Sequence, residues 1–226
     1  MKWKAVLFDA AGTLIELQSP VANSYARIAS AHGVELAPAR IDRAWKQVMA
    51  RQARRCFPGA HPADVPGLER TWWHEVVQAT FRAAEPAIRF SDFDAFFREL
   101  FEWYASAEAW CTRPQVEPTL ALLRASGLRL GIVSDFDYRL TQVLESLGIA
   151  RLFDVIVLAS TVGAAKPDRR PFEAALSNLG LSAGDGVYVG DDPARDLTGA
   201  AAAGLAALDV ASLDDFADLP ERLATL

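Results

Sequence analysis

At 226 residues, with 51% hydrophobic and 23% charged side chains, the chain is long enough to bury a real core and has an ordinary globular composition. Its formal net charge of −6 argues against a nucleic-acid surface, which needs clustered Lys and Arg to displace counterions. Cys56 and Cys111 stand in no CxxC or His-rich context, which argues against zinc, and no run approaches the roughly eighteen apolar residues of a membrane span.

The first apolar run, Val6-Leu7-Phe8, ends in Asp9 and the small residues Ala10-Ala11-Gly12, then Thr13-Leu14. Such a pattern predicts a buried strand that delivers a carboxylate to a sheet edge. Asp9 also interrupts the apolar start too early for a secretory signal, so the expected location is the cytoplasm. From Pro20 to Ala109 no strand pattern occurs. Amphipathic windows at 20–31, 39–54, 68–83 and 92–107, separated by Pro38, Pro58-Gly59, Pro62, Pro66-Gly67 and Pro86, predict an inserted helical module. Trp45, Trp72, Trp73, Trp103 and Trp110 in or beside it are read as bundle core, and Arg51, Arg54 and Arg55 as a solvated helix face.

The chain returns through Thr112-Arg113-Pro114, and from Gly127 short β-rich runs alternate with helical stretches. Strands are predicted at 128–133, 155–158, 187–190 and 205–210, with helices at 117–126, 138–147, 171–179 and 193–203. Gly127, Gly148, Gly180 and Gly204 are placed as C-terminal caps. The alternation predicts an α/β fold, a doubly wound, Rossmann-like parallel sheet interrupted by a helical cap. Residues 1–16 and 112–226 are expected to form the core, and 17–111 the cap, which would sit above the carboxyl edge of the sheet and screen it from water.

Parallel strands present their carboxyl ends on one edge, so Asp9, Ser134-Asp135 and Asp191-Asp192 are predicted to converge there with the lysine of Ala165-Lys166-Pro167-Asp168. Asp9 is unhindered and can attack phosphorus, giving an aspartyl phosphate, while Gly12 lets the backbone turn around the transferred group. Asp191 can hold Mg²⁺ jointly with Asp9. Asp196 would support the metal's water shell, and Lys166, Ser134 and Thr13 supply charge and hydrogen bonds to a phosphoryl group.

Asp9 with Gly12-Thr13, then Ser134, Lys166-Pro167 and Gly190-Asp191 with Asp196 resemble, in type and order, the haloacid dehalogenase superfamily in its cap-inserted branch. Leu17-Gln18-Ser19-Pro20, Ser24-Tyr25, Trp72-Trp73 and Ser134-Asp135-Phe136-Asp137 are similar to its REG-2-like group. The resemblance implies a hydrolase with Asp9 as nucleophile and Thr13, Ser134 and Lys166 as its catalytic partners. It implies substrate contacts from Gly12, Ser134, Asp135 and Lys166. Mg²⁺ would be held by Asp9, the Ala11 carbonyl, Asp191 and Asp196. In that family the residue two places after the nucleophile serves as general acid and base. Here it is Ala11, which predicts intact metal binding and low or specialised turnover. Asp135 stands where asparagine is common and adds a negative charge.

The reading that follows is a phosphatase of a small phosphorylated metabolite, without nucleic-acid or membrane partners, as a monomer or homodimer. Three alternatives stand beside it. A phosphonatase would use Lys46, the one lysine of the cap, as a Schiff base. A dehalogenase would dispense with metal, against which the acidic cluster at Asp191, Asp192 and Asp196 argues. A non-catalytic descendant would bind phosphate or a partner without turnover.

Overall fold

The computed structural model describes residues 2–226. Five parallel strands form the sheet: β1 (Ala5–Phe8), β4 (Arg129–Ser134), β5 (Val155–Leu158), β6 (Gly186–Gly190) and β7 (Ala206–Asp209), in the order β5-β4-β1-β6-β7. β1 is central, and alternation divides its side chains between two cores. Val6 and Phe8 pack with Leu130, Ile132, Val187 and Val189 against α5 (Val116–Ala125), α6 (Leu140–Ser146) and α10 (Leu219–Thr225). Ala5 and Leu7 face Val133, Val157 and Tyr188 beneath α8 (Arg170–Leu179), which follows the short α7 (Ala159–Val162), and α9 (Thr198–Ala202). Because both faces are covered, β1 is apolar throughout and completely buried.

Two short strands lie outside this sheet. β2 (Ile15–Leu17) pairs antiparallel with β3 (Trp110–Thr112), and between them the chain builds α1 (Val21–Ala31), α2 (Pro38–Met49), α3 (Val65–Ala84) and α4 (Phe93–Trp103). The divisions expected at 16/17 and 111/112 fall inside this two-stranded ribbon. Three residues are too few to show a period, so neither strand is legible in sequence.

The insert has its own core, made by Tyr25, Ile28, Ile41, Val77, Phe81, Phe96, Leu100 and Phe101 among others. Phe90 stacks on Phe96 at 4.4 Å, and Phe81 meets Phe96 edge-on at 5.2 Å. The tryptophan expectation is corrected here: phenylalanines fill this core. Trp45, Trp73 and Trp103 are only partly buried against it, and Trp110 joins the core of the sheet. An indole is bulky and carries an N–H that seeks a partner, which favours the margin of a core over its centre.

Helix ends also differ from expectation at one functional place. α2 stops at Met49, five residues short of the predicted end, so Arg51, Arg54 and Arg55 lie on an irregular loop. The predicted helix 193–203 opens instead as a wide π-helical turn, Pro193–Leu197, before α9. The four predicted glycine caps all adopt positive φ. Among the described residues no helix is long and apolar enough to cross a membrane.

Candidate active site

The ladder between β1 and β6 continues one step past β1, where Asp9 N–H donates to Val189 O at 2.9 Å, fixing Asp9 at the carboxyl end of the central strand. The backbone then folds tightly, with Ala10 O accepting from Leu14 N at 2.8 Å and Ile15 N at 3.0 Å. Gly12 sits at φ +95°, and a Cβ there would collide with the Asp191 carboxylate, its Cγ only 2.7 Å away. Two separate demands therefore exclude any side chain at this position.

Lys166 is buried at 3% exposure and converts this edge into a charge cluster. Its Nζ donates to Asp9 Oδ1 at 2.6 Å, to Asp196 Oδ1 at 2.5 Å and to Tyr188 Oη at 3.1 Å. Asp196 Oδ2 accepts from the N–H groups of Asp191 and Asp192, at 3.2 and 3.1 Å. The π-helical turn makes this possible by bringing Asp196 back beneath the end of β6. Gly190 leaves the required space, since a Cβ there would lie 2.6 Å from Asp196 Cγ. Both oxygens of Asp196 are thus engaged, and its observed work is to brace the loop and anchor the lysine.

Asp191 is exposed, and its Oδ1 accepts from Thr13 Oγ1 at 3.1 Å. One carboxylate oxygen from each of Asp9, Asp191 and Asp196 falls within 4.8 Å of the others. Burial raises the Asp9 carboxyl to about 6; Lys166 opposes the shift, while Asp196 and Asp191 add to it. Three carboxylates against one lysine leave excess negative charge, which a hard cation with oxygen ligands would neutralise.

Ser134 closes the site from β4, buried at 2% exposure, with Oγ accepting from Phe136 N at 3.2 Å so that its own proton is left to donate elsewhere. Asp135 does not stand as a loose negative charge. Its Oδ1 accepts from Lys166 N at 3.1 Å and its Oδ2 lies 3.6 Å from Arg195 Nη1. Asp9, Ala11, Ser134, Asp135, Lys166, Asp191 and Asp196 line one cavity of about 470 Å³ between sheet and insert. Gly12 and Thr13 form the turn beside it.

Several participants escape sequence reasoning. Tyr188 is one: it lies mid-strand, yet its hydroxyl donates to Val133 O at 3.0 Å and accepts from Lys166, and burial pushes its ionisation upward. Arg54 and Arg55 are the others, and their assignment to a solvated face is corrected. Arg54 donates to Lys166 O and Arg55 to Asp135 O, so the insert reaches the main chain of two site residues. Arg51 and Arg54 remain exposed, whereas Arg55 is half-buried.

A buried ionic knot joins the same loop to the insert. Arg139 donates to both oxygens of Asp137, at 2.8 and 2.6 Å, and to Phe101 O at 2.9 Å, while Trp73 Nε1 donates to Asp137 Oδ2 at 2.7 Å. Burial by itself would raise the Asp137 carboxyl, but the Arg139 bonds and charge outweigh it and hold the value below the ordinary 3.8. A depressed carboxylate stabilises above its ordinary pKa, and that contribution fades as pH falls through the lowered value. Asp137→Asn is therefore expected to cost about 3–5 kcal/mol at pH 7 by stranding Arg139. The deficit relative to wild type narrows below pH 3.8, which urea titrations across pH would read; an unchanged midpoint at pH 7 refutes the account.

A family model for haloacid dehalogenase-like hydrolases matches residues 3–204. The chain belongs to the haloacid dehalogenase-like hydrolases. It is 33% identical over 207 residues to haloacid dehalogenase-like hydrolase domain-containing protein 3 of Bos taurus, spanning 91% of this chain and 80% of that one. It is also 33% identical over 130 residues to a glyceraldehyde 3-phosphate phosphatase of Methanothermobacter thermautotrophicus, spanning 49% of this chain and 58% of that one. Among solved structures, a HAD phosphatase from Thermococcus onnurineus superposes with a TM-score of 0.60 at 26% identity, covering 90% of this chain and 84% of that one. Within this haloacid dehalogenase-like hydrolase, Lys46 has no place at the site. Its amine bonds Asp42 Oδ2 at 2.8 Å, its side chain is 69% exposed, and it lacks the burial that would make a Schiff-base amine reactive.

Proposed function

We propose that the chain is a Mg²⁺-dependent phosphohydrolase of a small phosphorylated metabolite, working through an aspartyl phosphate on Asp9. The observation that carries this reading is the contact of Lys166 Nζ with Asp9 Oδ1 at 2.6 Å, at the end of the central strand and beneath a cavity. The oxygen-only donor set fits Mg²⁺. Asp9, Asp191 and the Ala11 carbonyl would hold the ion, with Asp196 bracing the Asp191 loop, and bound Mg²⁺ supplies charge neutralisation for a phosphoryl group.

The remaining chemistry belongs to the chain. Asp9 presents its free oxygen to phosphorus, and the P–O bond to the leaving group breaks as the new one forms. Lys166 keeps the nucleophile ionised and balances the oxygens of the transferred group. Ser134 Oγ, with its acceptor role fixed by Phe136 N, donates to one of those oxygens, while Thr13 holds Asp191 in register. No side chain at position 11 can pass a proton to the leaving group or take one from water, so turnover is low or restricted to easy leaving groups.

A panel of phosphate monoesters, phosphonates and 2-haloacids, assayed with Mg²⁺ and after chelation, tests the reading. The expected result is release of inorganic phosphate that drops at least about tenfold on chelation. Halide release without Mg²⁺ would replace it with a dehalogenase. Tight beryllofluoride binding with no turnover of any ester would favour a phosphate binder instead.

A further inference from the structure

Building on the phosphohydrolase reading, we propose that the substrate is the phosphate monoester of an aromatic hydroxyl, a phenol or hydroxylated fused ring, whose ring occupies the cavity between insert and sheet. Two independent observations converge on this class: the chemistry of the cavity wall and the missing proton donor at its floor.

Away from Asp9, aromatic and apolar side chains dominate the wall. Trp45 and Met49 come from α2, Trp72 from α3, Tyr104 from the end of α4, Trp110 from β3, and Phe136 from the loop after β4. Trp110 and Phe136 pack at 5.1 Å with planes inclined by 59°, and Trp72 meets Trp73 edge-on at 4.8 Å. Flat π-faces set at such angles accept another ring edge-on or offset. The cavity, about 470 Å³, lies within the range of roughly 300–1,000 Å³ that small-molecule sites occupy.

A polyhydroxylated leaving group would need a polar partner for each hydroxyl, and the wall is poor in them. Its arginines each have a partner in the protein, Arg54 in Lys166 O, Arg55 in Asp135 O, Arg139 in Asp137 and Arg195 in Asp192, although Arg55 Nε is left without one. Two buried donors, Trp45 Nε1 and Tyr104 Oη, have the hydroxyls of Tyr25 and Ser24 as neighbours but meet neither in full hydrogen-bond geometry.

The floor selects the same class. A phenol ionises near about 10, as tyrosine does, whereas an alkoxide leaves as the base of an acid closer to water, at about 15.7. With Ala11 in place of an acid, the aryl–O–P bond can break without a proton, its electron pair departing on the aryloxide. Water then forms a bond to phosphorus as the Asp9 O–P bond breaks. The aryloxide takes up the proton that water releases, giving a phenol and inorganic phosphate.

The test compares kcat/KM for 1-naphthyl phosphate with that for hexyl and glycerol phosphates in the presence of Mg²⁺. It pairs this with quenching of tryptophan fluorescence by 1-naphthyl phosphate in Asp9→Asn. We expect naphthyl phosphate to exceed both alkyl esters by at least about 10²-fold, with quenching weakened in Asp9→Asn/Trp45→Ala and in Asp9→Asn/Phe136→Leu. Equal kcat/KM for aryl and alkyl esters, or quenching indifferent to both wall substitutions, overturns the aromatic substrate while leaving a phosphohydrolase intact. Hydrolysis of no ester overturns the phosphohydrolase reading, and this inference with it.

Discussion

Ala11→Asp raises kcat for alkyl phosphate monoesters by about 10²- to 10⁴-fold, the usual worth of a positioned acid and base. The position can take the side chain. Ala11 is only half-buried, lines the cavity two residues beyond Asp9, and is absent from the residues with positive φ, so an aspartate fits without backbone strain. The gain depends on the leaving group: esters of alcohols benefit most, because their departing oxygen most needs a proton. Aryl esters gain little in the first step, so the slope of log kcat against leaving-group pKa flattens in the variant. Steady-state assays on a graded series of esters measure this directly. A folded variant with no gain on any alkyl ester refutes the assignment of the missing role to position 11.

Lys166→Met is expected to lower kcat by at least about 10²- to 10³-fold through loss of a charged donor. It is also expected to destabilise the protein by about 3–5 kcal/mol, since it leaves Asp9 and Asp196 buried without their shared cation. Methionine conserves much of the volume, so packing is not the main loss. The pH dependence has a definite sign. Burial pulls the Lys166 pKa down, but Asp9 and Asp196 outweigh it and hold the value above the ordinary 10.5. Its stabilisation is therefore fully present below the ordinary 10.5 and is lost as pH rises from there through the raised value. Asp9 acts in the opposite sense. With its carboxyl at about 6 against an ordinary 3.8, metal-free protein loses stability as pH rises through that window. Urea midpoints at pH 5 and 7 read the Asp9 effect, and midpoints at pH 7 and 11, with and without the substitution, read that of Lys166. A variant matching wild type in midpoint and turnover would remove Lys166 from the proposal.

Asp9, Ser134 and Asp191 were legible because each closes an apolar strand or follows one: Asp9 after Phe8, Ser134 at the end of β4, Asp191 after Gly190. Parallel topology does the rest, since it carries strand ends to one edge regardless of their separation in sequence. What sequence could not reveal is whatever tertiary contact decides. Ala50-Arg51-Gln52-Ala53 has good helix formers and continues the period of α2, yet the helix ends at Met49. Beyond that point Arg54 and Arg55 find the carbonyls of Lys166 and Asp135, and Arg55 sits 3.8 Å from the buried Glu69. These partners lie from 14 to 112 residues away in sequence, and no local pattern encodes them. Tyr188 was hidden differently. Its ring fits a strand's apolar alternation, and only its hydroxyl, carried to Lys166 and Val133, reveals its part in the site.

The antiparallel pairing of Ile15–Leu17 with Trp110–Thr112 has an evolutionary consequence. Departure and return share one ribbon, and none of the five sheet strands falls between them. The intervening segment is thus a cassette: its replacement would leave every rung of the parallel ladder in place. Lineages can diversify what they recognise by swapping that cassette while inheriting the same nucleophile unchanged.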